Sequence, residues 1–258
     1  MSLLATFLSL LIGLAAACET VPITGRSQLM LLPEPEEVRM GVQAYHEILR
    51  KSKISRDPRL NDLATRVGTR IARATGRLDY QWEFKVIEDD KQVNAFALPG
   101  GKVAVYTGIL PVTKDDAGLA TVMGHEVAHA IARHGGERVS QGLLVQVGIA
   151  AAQAAMANRA PRTVEQVTGL LGAGAALGII LPFSRAQESE ADHLGLIYMA
   201  KAGYDPRAAI PFWQRMEQAA RGRPSPPEFL STHPSHGTRI REIEQWIPEA
   251  MRYYQASR

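Results

Sequence analysis

The chain has 258 residues, 46% of them hydrophobic, with a formal charge of +3 and a single cysteine. That is enough apolar material for a sizeable core, which excludes a disordered chain, and one cysteine excludes an internal disulfide framework. Lys and Arg are scattered rather than gathered into a stripe with aromatics between them, so nothing asks for a nucleic-acid partner.

Residues Met1 to Ala17 carry no charge and read as the apolar core of a secretory signal ending in small residues. Leu14-Ala15-Ala16-Ala17-Cys18 resembles the box at which bacterial lipoproteins are cleaved and lipidated on the cysteine. Lipidation would give the lone Cys18 a purpose; a plain cleaved signal and an uncleaved anchor are the alternatives. Residues 18–35, with Pro22, Gly25, Pro33 and Pro35, read as an extended tether, and the body of the chain is expected over 36–258, outside the cytoplasm.

Apolar residues at three- and four-residue spacing predict helices over Glu36 to Lys53 and Pro58 to Thr75. From Gln81 the period becomes two, through Trp82, Phe84 and Val86. Val93 to Leu98 and Lys102 to Thr107 then flank Pro99-Gly100-Gly101, which predicts a strand followed by a hairpin. Asp115 and Asp116 open a helix that carries Leu119, Val122, Met123, Val127 and Ile131 to a stop at Gly135-Gly136.

Between Gln141 and Ser184 only Arg159, Arg162 and Glu165 are charged. Gln141, Gln146 and Gln153, with abundant Ala and Gly and close-approach spacing at Gly174 and Gly178, predict two helices packed on the body. A membrane hairpin and a docking surface for membranes or apolar substrates are the alternatives. Helices follow over Arg185 to Ala202, Pro206 to Arg221 and Thr238 to Trp246, with a loop at Pro224 to Pro227. The fold class expected is α+β, mostly helical around a small antiparallel sheet.

His125-Glu126-Val127-Ala128-His129 is an HExxH pattern inside the helix that Asp115 opens. A four-residue step leaves two side chains only about 40° apart around a helix, so both imidazoles face one point. Neutral imidazole nitrogens suit Zn2+, which takes about four ligands and keeps one place for water at a catalytic site. Glu126 adjoins the first histidine, where a carboxylate would take that water's proton and hand it to a departing amine. A helix bearing two histidines and a glutamate by chance is the alternative. A third protein ligand is needed, and the candidates are Glu188, Glu190, Asp192 and His193.

MGHEVAHAIARH followed by FSRAQESEADHLG resembles the M48 family of metallopeptidases. The resemblance extends over Thr24-Gly25-Arg26 with Gln28-Leu29, over Asn94 to Gly101, over Tyr106-Thr107-Gly108 and over Thr232-His233-Pro234. It implies Glu188 as third ligand and Asp192 as the carboxylate that orients a ligand histidine. Glu190 then reads as a solvated helix charge, and His46, His134 and His193 as surface or packing residues.

The resemblance also implies that Asn94, Ala95, Phe96 and Ala97 form the strand bordering the cleft, whose open edge would pair with an extended substrate; an ordinary hairpin strand is the alternative. His233 would either stabilise the oxyanion or occupy the metal's open position in a resting state, and Arg239 would steady that corner. With no helical-repeat tail before Arg258, the short lipoprotein branch of the family is the better match.

The function expected is therefore a zinc-dependent endopeptidase with one Zn2+. It would be lipid-anchored through Cys18 on the periplasmic face of a Gram-negative outer membrane and would act on unfolded or misassembled envelope proteins. A chaperone or assembly factor with latent proteolysis is the rival. Processing of prenylated peptides is disfavoured, because the many membrane spans of those relatives are missing.

Overall fold

The computed structural model describes residues 18–157, 181–221, 227–233 and 237–257, apart from the side chains of 181–184 and 228. The signal-like stretch 1–17, the charged residues Arg159, Arg162 and Glu165, the Gly174 and Gly178 pair, Pro234 and most of the expected Pro224 to Pro227 loop lie outside them. The chain divides into two units, 1–34 with 133–186 and 35–132 with 187–258.

The larger unit is an α+β body, mostly helical. Its first helix, α1, is Glu34–Lys51, and α2 is Pro58–Thr75. Asp57 caps α2 by accepting from the Arg59 N–H at 2.9 Å, Pro58 supplies a preset first residue, and Gly76 closes the helix in the left-handed region at φ 75°. Strands β3 (Glu83–Ile87), β4 (Ala95–Leu98) and β5 (Lys102–Tyr106) form one sheet in the order β3-β5-β4.

The hairpin β4–β5 is antiparallel as expected, but β3 runs parallel to β5, so the sheet is mixed rather than antiparallel. The reason lies in the pairing. β5 returns from the Pro99-Gly100-Gly101 turn between β3 and β4, burying Val103, Ala104 and Val105 in the middle of the sheet. β4 is left as an edge. The Tyr106 N–H donates to the Asn94 carbonyl at 3.0 Å, which sets the alternation so that Ala95 and Ala97 turn their backbone groups to the free side.

A short helix α3 (Leu110–Thr113) leads into α4, Asp116–Ile131. Asp115 caps α4 by accepting from the Gly118 N–H at 2.8 Å, and α4 is buried on nearly all sides. It crosses α6 (Leu181–Lys201) backbone to backbone: a Cβ on Gly124 would lie 2.9 Å from the Gly195 carbonyl oxygen, and one on Gly195 would lie 2.9 Å from the His125 nitrogen. A 3-10 turn at Pro206–Ala208 precedes α7 (Ala209–Ala220), and α8 (Glu228–Thr232) and α9 (Arg239–Ala256) complete the unit. α9 continues past its expected end at Trp246 and through Pro248 to Ala256, with burial of Ala250 and Tyr254 outweighing the one lost N–H donor.

α4 ends at Ile131, before the expected stop at Gly135-Gly136; both glycines lie in the first turn of α5, His134–Ala155. The break is made by Arg133, a non-glycine residue at φ 56° in the left-handed region, a conformation that costs about 1–3 kcal/mol. Its guanidinium is tied to the Glu19 carboxylate and, at 3.0 Å, to the Leu32 carbonyl.

In the smaller unit the expected extended tether holds a two-stranded antiparallel ribbon, β1 (Cys18–Thr20) with β2 (Ser27–Leu29). A tight turn closes it, with Ile23 and Gly25 both at φ 70° and the Gly25 N–H donating to the Val21 carbonyl at 3.1 Å. Cys18 is exposed. Arg26 grips the buried Glu137 of α5 through two bonds of 2.8 and 2.9 Å. Beyond that, α5 presents Val139, Leu143, Leu144 and Val147 to solvent. Among the described residues no helix is long and apolar enough to cross a membrane.

Candidate metal centre

One turn apart on α4, His125 and His129 bring their Nε2 atoms to 3.1 Å, as the helical step predicts. Glu188 enters from α6, with Oε1 3.2 Å from His129 Nε2 and Oε2 3.4 Å from His125 Nε2. His233, just after α8, sets its Nδ1 3.2 Å from His125 Nε2 and 3.0 Å from Glu188 Oε1. One ligand atom from each of these four residues falls within 4.8 Å of every other.

The donor set itself calls for a cation. His125 Nδ1 lies 2.8 Å from Asp192 Oδ1, and a carboxylate only accepts, so Nδ1 carries a proton and Nε2 is the nitrogen left to face a metal. Inward nitrogen and oxygen atoms lie 3.0–3.4 Å apart inside a buried site, a spacing that needs protons or a cation between them. A tetrahedral shell at about 2.0–2.1 Å from a zinc ion has donor–donor edges of about 3.3–3.4 Å, so these residues fit such an ion with little rearrangement.

Electrostatics agree. Burial pushes the His125 imidazole down, but the charge and hydrogen bond of Asp192, with Glu188 behind them, outweigh it and hold the pKa at about 9. Burial would raise Glu188, yet the charge of His129 and hydrogen bonds from three imidazoles hold it far below the usual carboxylate range. Both shifts favour a positive charge between these groups, which imidazole protons supply without a metal and a bound cation would supply in their place.

Glu126 behaves differently. Burial raises its carboxyl above the ordinary value despite the opposing charges of His233 and His125 and a hydrogen bond from the Ala97 N–H on β4. Its Oε1 makes no hydrogen bond, although His233 Nε2 is 3.3 Å away. A buried carboxylate of raised pKa with a free oxygen is equipped to accept a proton.

Behind the donors lies Arg239 of α9, 1% exposed. Its Nε donates to Asp192 Oδ2 at 2.6 Å and its Nη2 to Glu188 Oε2 at 2.9 Å, while Nη1 reaches the His233 carbonyl at 3.4 Å. Burial alone would raise Asp192, but the Arg239 charge, with His125, holds it below the usual carboxylate range.

Of the other candidates, Glu190 is buried at 7% exposure rather than solvated. It follows Glu188 on a helix that is enclosed on several sides, so its polarity alone misplaces it. His193 stacks on Trp246 at 4.9 Å and meets Glu249 at 2.7 Å, away from the donors. His46 is exposed and His134 buried, and neither is among the convergent donors. Asn94 bonds the Ala95 N–H at 2.9 Å, and Phe96 packs edge-on to Tyr45. Sequence reasoning missed Trp213 and Phe229, both buried, whose rings lie 5.9 Å from that of His125. An aromatic on a helical face reads as ordinary core, so no signal marked them.

The sequence profile described as peptidase family M48 matches residues 58–247. The chain belongs to peptidase family M48. Among M48 relatives, the mitochondrial metalloendopeptidase OMA1 of Schizosaccharomyces pombe is 39% identical over 237 residues, covering 90% of this chain and 67% of that protein. The Saccharomyces cerevisiae protein of the same name is 33% identical over 267 residues, covering 93% and 72%. The beta-barrel assembly-enhancing protease of Yersinia pestis is 30% identical over 240 residues, covering 88% of this chain and 47% of its own length.

This M48 chain is a metalloendopeptidase acting on protein substrates. Its expected setting on a Gram-negative outer membrane is overturned: the two relatives of higher identity are mitochondrial by name, and the bacterial one shares less of its sequence. An uncharged apolar stretch at the N-terminus records only hydrophobicity, which does not distinguish one membrane system from another.

Proposed function

We propose that this metalloendopeptidase uses zinc held by His125, His129 and Glu188, with Glu126 as the catalytic base, to cut unfolded segments of misassembled membrane proteins. The observation that carries the reading is the convergence of imidazole nitrogens and a carboxylate from α4 and α6 beside a buried carboxylate with a free oxygen. Zinc held by these residues would supply Lewis acidity, making a water of pKa about 7 available and polarising a peptide carbonyl. Glu126 would take a proton from the attacking water and pass it to the departing amine nitrogen. Asp192 keeps the His125 proton on Nδ1, so that Nε2 remains a donor.

The outward carbonyls of Ala95 and Ala97 offer an extended substrate main-chain acceptors beside Glu126, their N–H groups being held by Asn94 and Glu126, while Phe96 anchors the strand. Such pairing reads backbone rather than sequence, which suits unfolded chains, and the name of the Yersinia relative ties that protein to beta-barrel assembly. His233 Nδ1 among the donors favours the resting-state role over the oxyanion role: with a metal bound it would take the position that substrate and water need, and it would have to withdraw for turnover. The same closure favours, as a second reading, a chaperone whose proteolysis is latent.

The test uses metal-loaded protein and casein. Cleavage that stops with chelator and with Glu126→Gln, zinc still bound, supports the protease. Client holding that survives Glu126→Gln supports the chaperone. Full cleavage by Glu126→Gln overturns the assignment of the base.

A further inference from the structure

Arg239 is the cation that ties the centre together, and its own orientation has a cause. A guanidinium is a planar fork whose donors all lie in one plane, so whatever fixes that plane fixes every acceptor on it. Here one fork holds Asp192 Oδ2, Glu188 Oε2 and the His233 carbonyl. The other oxygen of Asp192 orients His125, and the other oxygen of Glu188 faces His129 and His233. The edges of the fork are thereby committed, and only its faces remain.

One face is covered by Trp213 of α7, whose ring centroid is 3.7 Å from the guanidinium carbon. The same indole lies 5.9 Å from the His125 ring and 5.7 Å from Phe229, which in turn lies 4.9 Å from His233. Trp213 is 1% exposed and sits on the buried face of α7 with Phe212 and Met216. A cation over an indole face in a dry site is held both by the ring quadrupole and by the exclusion of water.

We propose that Trp213 is a positioning residue of the metal centre, fixing the plane of Arg239 so that one guanidinium presents both Asp192 and Glu188 to the donors. The inference rests on the ligand set proposed above. It predicts that metal affinity, and not only stability, depends on an aromatic face at this position.

The experiment measures zinc affinity by competition with a chromophoric chelator, alongside thermal unfolding with and without zinc. Trp213→Leu is expected to weaken zinc binding ten-fold or more, within the range of about 10–100-fold for partners of metal ligands. Trp213→Phe should recover most of the loss. Phe212→Leu, a change beside Trp213 in the same core, should lower stability without changing affinity. Trp213→Met serves as a second apolar variant should the leucine fold poorly. Native affinity in a folded Trp213→Leu or Trp213→Met protein overturns the proposal, as does an equal loss in Phe212→Leu. Glu188→Ala serves as the control for the ligand set: if it keeps native affinity, that assignment fails, whatever Trp213 does.

Discussion

Two arginine–aspartate forks in the larger unit are built alike and surrounded differently. Arg207 meets Asp205 at the start of the 3-10 turn before α7, Nε lying 2.9 Å from Oδ1, with side-chain exposures of 63% and 30%. Arg239 meets Asp192 at 2.6 Å, with exposures of 0% and 3%. Water competes for every bond of the first pair, so it fastens a turn and does little more. Around the second pair water is gone, and an unpartnered charge has nowhere to go. A buried fork is weak grounds for inferring stability, because apolar residues would fill the space at less cost. Its retention beside convergent imidazoles points to a task.

Arg239→Ala is expected to have the largest effect. It removes the buried cation that Asp192 and Glu188 share and so breaks a buried ion pair, costing about 3–5 kcal/mol and lowering the unfolding midpoint by about 10 °C, with metal lost on dialysis. Scanning calorimetry and metal analysis would detect both; retention of zinc and midpoint would erase the distinction between the forks.

Glu126→Gln sharpens the contrast from the opposite side. Because the Glu126 pKa is raised by burial, the charged group costs stability once pH exceeds the ordinary carboxylate range, and the cost is complete above the raised value. The glutamine variant of metal-free protein should therefore unfold at a higher temperature than the parent at pH 7, and the gap should close near pH 4. Its casein turnover should fall by about 10²–10⁴.

His233→Ala tests the donor that must move, and turnover should rise several-fold at saturating casein; a fall would return His233 to the oxyanion role. Arg207→Ala should be the mildest, with no measurable change in unfolding midpoint or activity.

Some of this was legible because it is helix arithmetic. The four-residue step between His125 and His129 places both rings on one face whatever surrounds them. Glu188 and Asp192 needed the family resemblance, since one stretch of α6 offers four acceptable ligands and only tertiary contact separates them. Arg133 shows what pattern reading lacks: two glycines nearby were the obvious stop, yet a non-glycine in the left-handed region made it, held by Glu19 and Leu32 far back in the chain. The parallel pairing of β3 was hidden because period-two alternation carries no direction. Trp213 was hidden because a core indole and one seated on a guanidinium look the same in sequence.

The contact between Gly124 and Gly195 gives the molecule a pivot. His125 is the next residue on one helix, and Glu188 lies two turns along the other, so the reach of the carboxylate to the imidazoles depends on how closely two bare backbones meet. A single methyl group at either glycine would act as a wedge and swing Glu188 outward, with every motif residue still present in the sequence. A protein so altered would still spell a peptidase and would no longer be one.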